Sequence, residues 1–287
     1  MPSFSETAKR VAVAVVGIPL AIGAIYAGGL VLGGLLAAVA CFAALEFYRM
    51  AERKASRPLA VFGAGAAGAL VLVSAAFPGE GPDGAGLASW IALYVLVALT
   101  LSIWTRGVDG EPLLALSVTV FGTLYTGGLL SFAVFLRHLP ASPDRWHGAA
   151  LLLAPVVLTW SSDTFAYFVG RAVGRRKLIP RVSPGKTLEG SLGALAGTML
   201  VAIAYSRLLN DFPTYPITLP EALLLGVLIS AAAQLGDLAE SLLKRDAGVK
   251  DSGALLPGHG GALDRFDSLF FTLPLGYLFF RYLIGPG

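Results

Sequence analysis

Long apolar stretches recur along almost the whole chain. A helix that crosses the hydrocarbon core of a bilayer needs about 20 mostly apolar residues. Only 14% of the residues are charged, against roughly 25% in soluble domains, so the chain lacks the charged surface that a soluble fold needs. The sequence predicts an all-α, polytopic transmembrane helix bundle with about nine spans. The predicted spans are 11–27, 29–48, 59–77, 86–104, 113–136, 149–170, 188–208, 221–243 and 268–285.

Lysine and arginine are distributed unevenly between alternate loops. With the N-terminus in the cytoplasm, the inner segments carry most of the basic residues, and the outer segment PGEGPDGA is acidic. Basic residues near the ends of spans favour the cytoplasmic side. We therefore expect a cytoplasmic N-terminus and an outside C-terminus. The short loops and the absence of a transit peptide favour a bacterial inner membrane.

Two regions are distinguished by their polar content. Residues 1–148 are expected to supply packing and lipid-facing helices, with possible dimer contacts, and residues 149–287 to form the catalytic region. Glycine-rich runs at 63–68 (GAGAAG) and 190–197 (GSLGALAG) predict close contacts between helices, because small residues let membrane helices approach.

Apart from glutamates at the first or second residue of a span, four carboxylates lie within predicted spans, where charge is costly and usually faces a protein interior or a wet cavity. Glu46 lies one turn from the basic inner end of its span and is expected to pair with Arg49 or Arg53. Asp163 sits among hydroxyl side chains in TWSSDTF and is expected to be functional. The other two carboxylates belong to a polar stripe. This stripe follows the helical spacing i, i+3, i+4, i+7 and consists of Asp237, Glu240, Ser241 and Lys244.

The stripe leads into a dense polar segment, SLLKRDAGVKDSGALLPGHGGALDRFD, at 241–267. Carboxylates with few nitrogen or sulfur ligands nearby suit a hard cation such as Mg²⁺. Neighbouring lysines and arginines suit phosphate oxygens. The glycines around His259 would let the backbone approach a ligand closely.

A second basic segment, GRAVGRRKLIPRVSPGKTLEG, is predicted on the same side. Its GKT at 185–187 is not a P-loop, since Pro180 stands where that motif needs glycine and no buried strand precedes it. Ser183, Lys186 and Thr187 are expected to hold phosphate near the start of the seventh span. No motif supports zinc, a serine hydrolase or nucleic-acid binding. These features indicate a Mg²⁺-dependent site where a lipid phosphate meets a soluble polyphosphate.

The segment 241–267 resembles the signature of phosphatidate cytidylyltransferases, S-x-x-K-R-x-x-x-x-K-D followed by H-G-G-x-x-D-R-x-D. SSDTFAYFVGR and SPGKTLEG resemble two further motifs of that family, and the strong resemblance covers residues 159–270. It implies transfer of CMP from CTP to phosphatidic acid, with pyrophosphate as the second product. It also implies a helical membrane homodimer, and it places metal-binding aspartates at Asp237 and Asp264.

On this basis each polar residue receives an expected role. Asp163 and Asp267 are candidate further ligands of Mg²⁺, which a monovalent cation could accompany. The residues expected to act in catalysis on phosphate and the leaving pyrophosphate are Asp237, Asp264, Lys244, Arg245, Lys250 and His259. The residues expected to bind substrate are Ser183, Lys186, Thr187, Ser241, Asp251 and Arg265. The expected partners are CTP, phosphatidic acid, membrane lipids and a second copy of the chain.

Two other functions fit parts of the pattern. A CTP-dependent polyprenol or lipid kinase would transfer the γ-phosphoryl group and release CDP instead of pyrophosphate. A transporter of phosphorylated solutes would also place charges within its spans, but such proteins are often built from inverted repeats, and no repeat is evident here.

Overall fold

Helices dominate the structure, a computed structural model that describes residues 4–54, 56–139, 144–212, 215–253 and 260–285. The helices are α1 (Phe4–Ala27), α2 (Gly29–Glu52), α3 (Ala60–Ala76), α4 (Ala85–Thr105), α5 (Pro112–Thr123), α6 (Leu129–His138), α7 (Arg145–Val173), α8 (Leu188–Leu209), α9 (Leu219–Asp246), α10 (Leu263–Phe266) and α11 (Leu269–Leu278). Shorter pieces are a 3₁₀ turn at Pro78–Glu80, π-helical turns at Leu124–Gly128 and Phe279–Ile284, and strands β1 (Lys177–Ile179) and β2 (Ser183–Thr187).

Every predicted span coincides with a helix, and the all-α prediction is confirmed. The π-helical turn at Leu124–Gly128 joins α5 to α6, so Pro112–His138 forms one long apolar segment. Within the described residues, six helices are long and apolar enough to cross a membrane: Gly29–Glu52, Ala85–Thr105, Pro112–His138, Arg145–Val173, Leu188–Leu209 and Leu219–Asp246. The chain is therefore an integral membrane protein, while the full count of about nine spans and its orientation stay predictions.

The chain forms two compact units. The first comprises Met1–Phe135 with Asp246–Phe266, and the second comprises Leu136–Arg245 with Asp267–Gly287. The polar segment is therefore divided between them, since its middle belongs to the first unit while α9 and α11 belong to the second. The functional division at 148/149 stays a prediction.

The glycine-rich runs form the close helix contacts that the sequence predicts. In the first unit, a Cβ at Gly63 or Gly68 would overlap Tyr48 or Cys41 of α2. In the second unit, Gly190, Gly193 and Gly197 of α8 lie against α7 in the same way. The contacts in the second unit pack α8 closely against the part of α7 that follows Asp163, and so fix the position of that residue.

A β-hairpin links α7 to α8, which the all-helical prediction did not include. β1 pairs antiparallel with β2, and Ile179 lies opposite Ser183. The side chain of Glu189 accepts hydrogen bonds from the backbone N–H groups of Arg175 and Arg176, which fixes the start of the hairpin. As a consequence, Lys186 lies on a strand that leads directly into α8.

Candidate functional site

An ion pair between β2 and α9 marks the candidate site in the second unit. Lys186 Nζ lies 2.8 Å from Asp237 Oδ2, and the hydroxyl of Ser241 donates to Asp237 Oδ1 at 3.3 Å. Both charged side chains are only partly exposed. The predicted phosphate-binding lysine and the predicted metal-binding aspartate are therefore brought together by the fold.

The pair lies in the wall of a cavity of about 500 Å³ that belongs wholly to the second unit. That volume lies within the range of small-molecule sites. The walls come from α7, β2, α8 and α9. The lining residues are Asp163, Ala166, Tyr167, Gly170, Arg171, Gly185, Lys186, Thr187, Gly190, Ser191, Gln234 and Asp237.

Further carboxylates surround the pair. Asp163 interacts electrostatically with both Asp237 and Lys186. Asp267 is close because Gly236 lets the start of α11 approach α9: a Cβ there would lie 2.7 Å from the carbonyl oxygen of Asp267. The pKa of the Asp267 carboxyl, between α10 and α11, is raised to about 6, first by burial and then by the charge of Asp237. The cluster thus holds more negative charge than the single ammonium of Lys186 can balance.

The donor set has the chemistry that Mg²⁺ prefers. Within the described residues, no three Asp, Glu, His or Cys side chains are arranged to hold a metal by themselves. This does not argue against Mg²⁺, which usually takes one or two protein carboxylates and completes its shell with water and phosphate oxygens. Asp237 with Asp163 or Asp267 fits that pattern.

A network of polar side chains within the helices positions α9 beside the cavity. Ser162 of α7 and Ser230 of α9 share a hydrogen bond of 2.9 Å. Gln234 donates to Ser230 Oγ and to the carbonyl of Ser191. Because these groups lie in apolar helices and lipid offers no hydrogen-bond partner, each of these bonds satisfies a polar group within the protein. The sequence interpretation did not identify four residues near the cavity: Gln234, Ser191, Tyr167 and Arg171. Of these, Gln234 could have been found, because it lies three residues before Asp237 and therefore on the same face of α9.

Thr187 has a capping role that the sequence interpretation did not assign. Its buried hydroxyl accepts from the N–H of Gly190 at the start of α8, which satisfies one of the free donors of that helix. Ser183 begins β2, and Arg245 Nε donates to the neighbouring Val182 carbonyl at 3.4 Å. The hairpin is thereby held to the end of α9.

The remaining members of the polar stripe pair along α9. Lys244 Nζ forms an ion pair with Glu240, whose side chain is 0% exposed. The stripe therefore forms one polar face, as the spacing predicts, with Asp237 bonded to Ser241 and Glu240 to Lys244. Lys244, expected to hold phosphate, is also the counter-ion of a fully buried carboxylate.

The middle of the polar segment is organised by two carboxylates of the first unit. Asp264 accepts from the backbone N–H groups of Ser252 at 3.0 Å and Gly261 at 2.9 Å. Glu46 of α2 accepts from the hydroxyl of Ser252 and the N–H of Leu263. The expected ion pair of Glu46 with Arg49 or Arg53 is wrong, because the side chain is buried and points to this segment instead.

Glycines in this segment are required by the fold itself. Gly260 has a φ of +82°, which other residues adopt at a cost. A Cβ at Gly261 would overlap Glu46 and Ser252. Lys250, Asp251 and Arg265 are exposed, and His259 lies outside the described residues. Asp264 belongs to the first unit and Asp237 to the second, so their sharing of one metal stays a prediction.

Comparison with known proteins places this geometry in context. The profile of the Cytidylyltransferase family matches residues 8–283. The chain is 44% identical over 176 residues to the uncharacterized protein YnbB of Escherichia coli, covering 60% of this chain and 57% of that one. It is 38% identical over 198 residues to phosphatidate cytidylyltransferase of Haemophilus influenzae, with 68% and 67% covered. It is 34% identical over 293 residues to the Synechocystis enzyme of that name, with 94% and 95% covered.

Proposed function

The chain belongs to the cytidylyltransferase family, and on that premise we propose that it transfers the CMP moiety of CTP to phosphatidic acid. The products are CDP-diacylglycerol and pyrophosphate. The relatives of H. influenzae and Synechocystis carry the name of this activity. The observation that carries the proposal is the Lys186–Asp237 pair in the wall of a cavity of about 500 Å³.

The reaction is a nucleophilic displacement at phosphorus. An oxygen of the phosphatidic acid phosphate bonds to the α-phosphorus of CTP, the bond from that phosphorus to the bridging oxygen breaks, and pyrophosphate leaves with the electron pair. A phosphomonoester is already largely dianionic at pH 7, since its second pKa is near 6. The nucleophile therefore needs no general base, and the main barrier is bringing two anions into line.

Residues of the cavity match that requirement. Lys186 offers a cation to the triphosphate, and its bond to Asp237 holds the ammonium at the wall. Arg171, in the last turn of α7 and hydrogen-bonded to the hydroxyl of Tyr167, provides a second cation in the lining of the cavity. Lys244, Arg245 and Lys250 are proposed to hold the lipid phosphate and the departing pyrophosphate.

Mg²⁺ fits the carboxylate cluster and is proposed as the cofactor, with a monovalent cation as a possible companion. Asp237, with Asp163 or Asp267, would hold it, and the role of Asp264 as a ligand stays a prediction from the sequence. When bound, Mg²⁺ would neutralise charge on the phosphate oxygens. The excess of carboxylates over lysine near Asp237 supports this assignment.

The membrane arrangement is proposed from the distribution of charge. Basic residues flank the helix ends that carry the site, which favours the cytoplasmic side, where CTP is made. We further propose a bacterial inner membrane and a homodimer as the working form. Because nine is an odd number of spans, the N-terminus and the C-terminus would then lie on opposite sides of the membrane.

The position of the label in the product tests the proposed reaction. Purified protein is incubated with phosphatidic acid, Mg²⁺ and CTP labelled at either the α- or the γ-phosphorus. We expect the α-label in the lipid and the γ-label in pyrophosphate. A lipid labelled only by γ-CTP would instead identify a kinase, and labelled solute taken up by proteoliposomes without CTP would identify a transporter.

Lys186→Ala is expected to raise the apparent KM for CTP roughly tenfold or more, since hydrogen bonds to charged groups contribute about 1.5–3 kcal/mol. The KM for phosphatidic acid should change much less. Steady-state kinetics with each substrate varied in turn measures both. Lys177→Ala is the matched control, because that exposed lysine lies on β1 of the same hairpin but does not line the cavity. An unchanged CTP response in Lys186→Ala would move the nucleotide elsewhere.

A further inference from the structure

The first unit contains a cavity of its own, which the proposed reaction does not use. It has a volume of about 420 Å³ and is lined by Glu52, Ser56, Arg57, Pro58 and Arg106. These residues come from the end of α2, the connection to α3 and the end of α4. We refer to it as the Arg57/Arg106 pocket.

Arg106 is locked in place by backbone carbonyls. Its Nε and Nη2 donate to Arg57 and Pro58 at 2.8 Å each, and its Nη1 donates to Thr105 at 3.1 Å. A guanidinium has five N–H donors, so two remain for a ligand. Neither Arg57 nor Arg106 forms an ion pair with a carboxylate in the described part of the chain. The pocket lining holds these two arginines and one carboxylate, Glu52, so its positive charges outnumber its negative charge.

The hydroxyl of Ser56 is a second, independent observation that points to a ligand. The residue is 5% exposed, and its Oγ has no hydrogen-bond partner among the described residues. A buried hydroxyl without a partner is costly and is expected to have an explanation. A ligand oxygen in the pocket would accept from it, beside the two guanidinium groups.

The surroundings favour a ligand that comes from the bilayer. Trp104 is 77% exposed two residues before Arg106, and Val61 is 84% exposed at the start of α3. Tryptophan at a helix end commonly marks the membrane–water interface. Glu52 supplies an acceptor for hydroxyl groups next to the arginines.

We propose that the Arg57/Arg106 pocket binds the phosphate group of an anionic phospholipid with a hydroxylated headgroup. The arginines hold the phosphate oxygens, Ser56 donates to one of them, and Glu52 accepts from a headgroup hydroxyl. The acyl chains extend along the exposed apolar surface near Trp104 and Val61. This site is independent of the CTP reaction, and its test does not depend on turnover.

Titration of the purified full chain in detergent with three probes tests the proposal. The probes are dihexanoyl-phosphatidylglycerol, dihexanoyl-phosphatidylcholine and inorganic phosphate. Binding is measured from the change in tryptophan fluorescence and from the shift in melting temperature. We expect phosphatidylglycerol to bind and raise the Tm, and phosphatidylcholine to do neither.

Three variants locate the binding. Arg57→Gln should weaken phosphatidylglycerol binding roughly tenfold, because one charge-assisted contact is lost. Ser56→Ala should raise the Tm without lipid while it weakens binding, a combination that a purely structural serine would not give. Arg53→Gln removes the same charge from a neighbouring exposed residue outside the pocket and should behave like the native chain.

The outcomes separate the possible sources of phosphate. If inorganic phosphate binds as tightly as the lipid, with the same dependence on Arg57, the pocket is a site for a soluble phosphate ion, and the proposal of a lipid ligand is overturned. Equal losses in Arg57→Gln and Arg53→Gln would overturn the proposal, since only general surface charge would then be acting. Equal binding of phosphatidylcholine and phosphatidylglycerol would overturn it as well.

Discussion

Asp237→Asn should lower CMP transfer by about 10³-fold or more while the chain remains folded. The substitution removes the charge that holds Lys186 and that is proposed to bind Mg²⁺, and loss of one preorganised electrostatic group commonly costs 10²–10³-fold in rate. Asparagine keeps the shape of the side chain, and its carbonyl can still accept from Ser241. Incorporation of α-labelled CTP into lipid measures the rate, and the melting temperature reports the fold.

Asp246→Asn is the matched control for this experiment. Asp246 lies nine residues further along the chain, at the end of α9, and pairs with Lys54 in an exposed contact of 3.2 Å. Exposed ion pairs contribute little to stability, so this variant should retain both its Tm and its turnover. More than about a tenth of native turnover in Asp237→Asn would remove Asp237 from the catalytic site, given the size of such electrostatic effects.

The helices were predictable because membrane spans have a strong signal in sequence. Apolar length alone located α2 to α9, and the glycine runs at 63–68 and 190–197 predicted their contacts. The β-hairpin was not predictable, because strands of three and five residues carry no alternating pattern. Pro180 and Gly185 in that segment are typical of a loop.

The candidate site was predictable along one helix and much less so between elements. Helical spacing placed Asp237 and Lys244 on one face of α9. The partners of buried charges were harder to identify. Glu46 was expected to pair locally with an arginine, yet its partner Ser252 is 206 positions away in sequence. A buried carboxylate takes the donors that the tertiary fold brings to it, and sequence proximity does not identify those donors.

Lys244→Met should lower the free energy of unfolding by about 3–5 kcal/mol. Glu240 is 0% exposed and Lys244 is 14% exposed, so removal of the ammonium leaves a buried carboxylate without its counter-ion, which costs about that amount. Denaturation of the detergent-solubilised chain measures the change. Lys54→Met is the control, because its pair with Asp246 is exposed and should contribute at most about 1 kcal/mol.

The double variant Glu240→Leu with Lys244→Met separates the structural role of Lys244 from its proposed role in catalysis. Replacing a buried ion pair by apolar side chains of similar volume is often neutral or stabilising, so the double variant should regain most of the lost stability. If Lys244 also holds a phosphate group, CMP transfer stays low in this refolded background. Full recovery of turnover would instead show that Lys244 acts only as the counter-ion of Glu240. If the single variant Lys244→Met is as stable as the native chain, the ion pair does not stabilise the fold and this prediction is wrong.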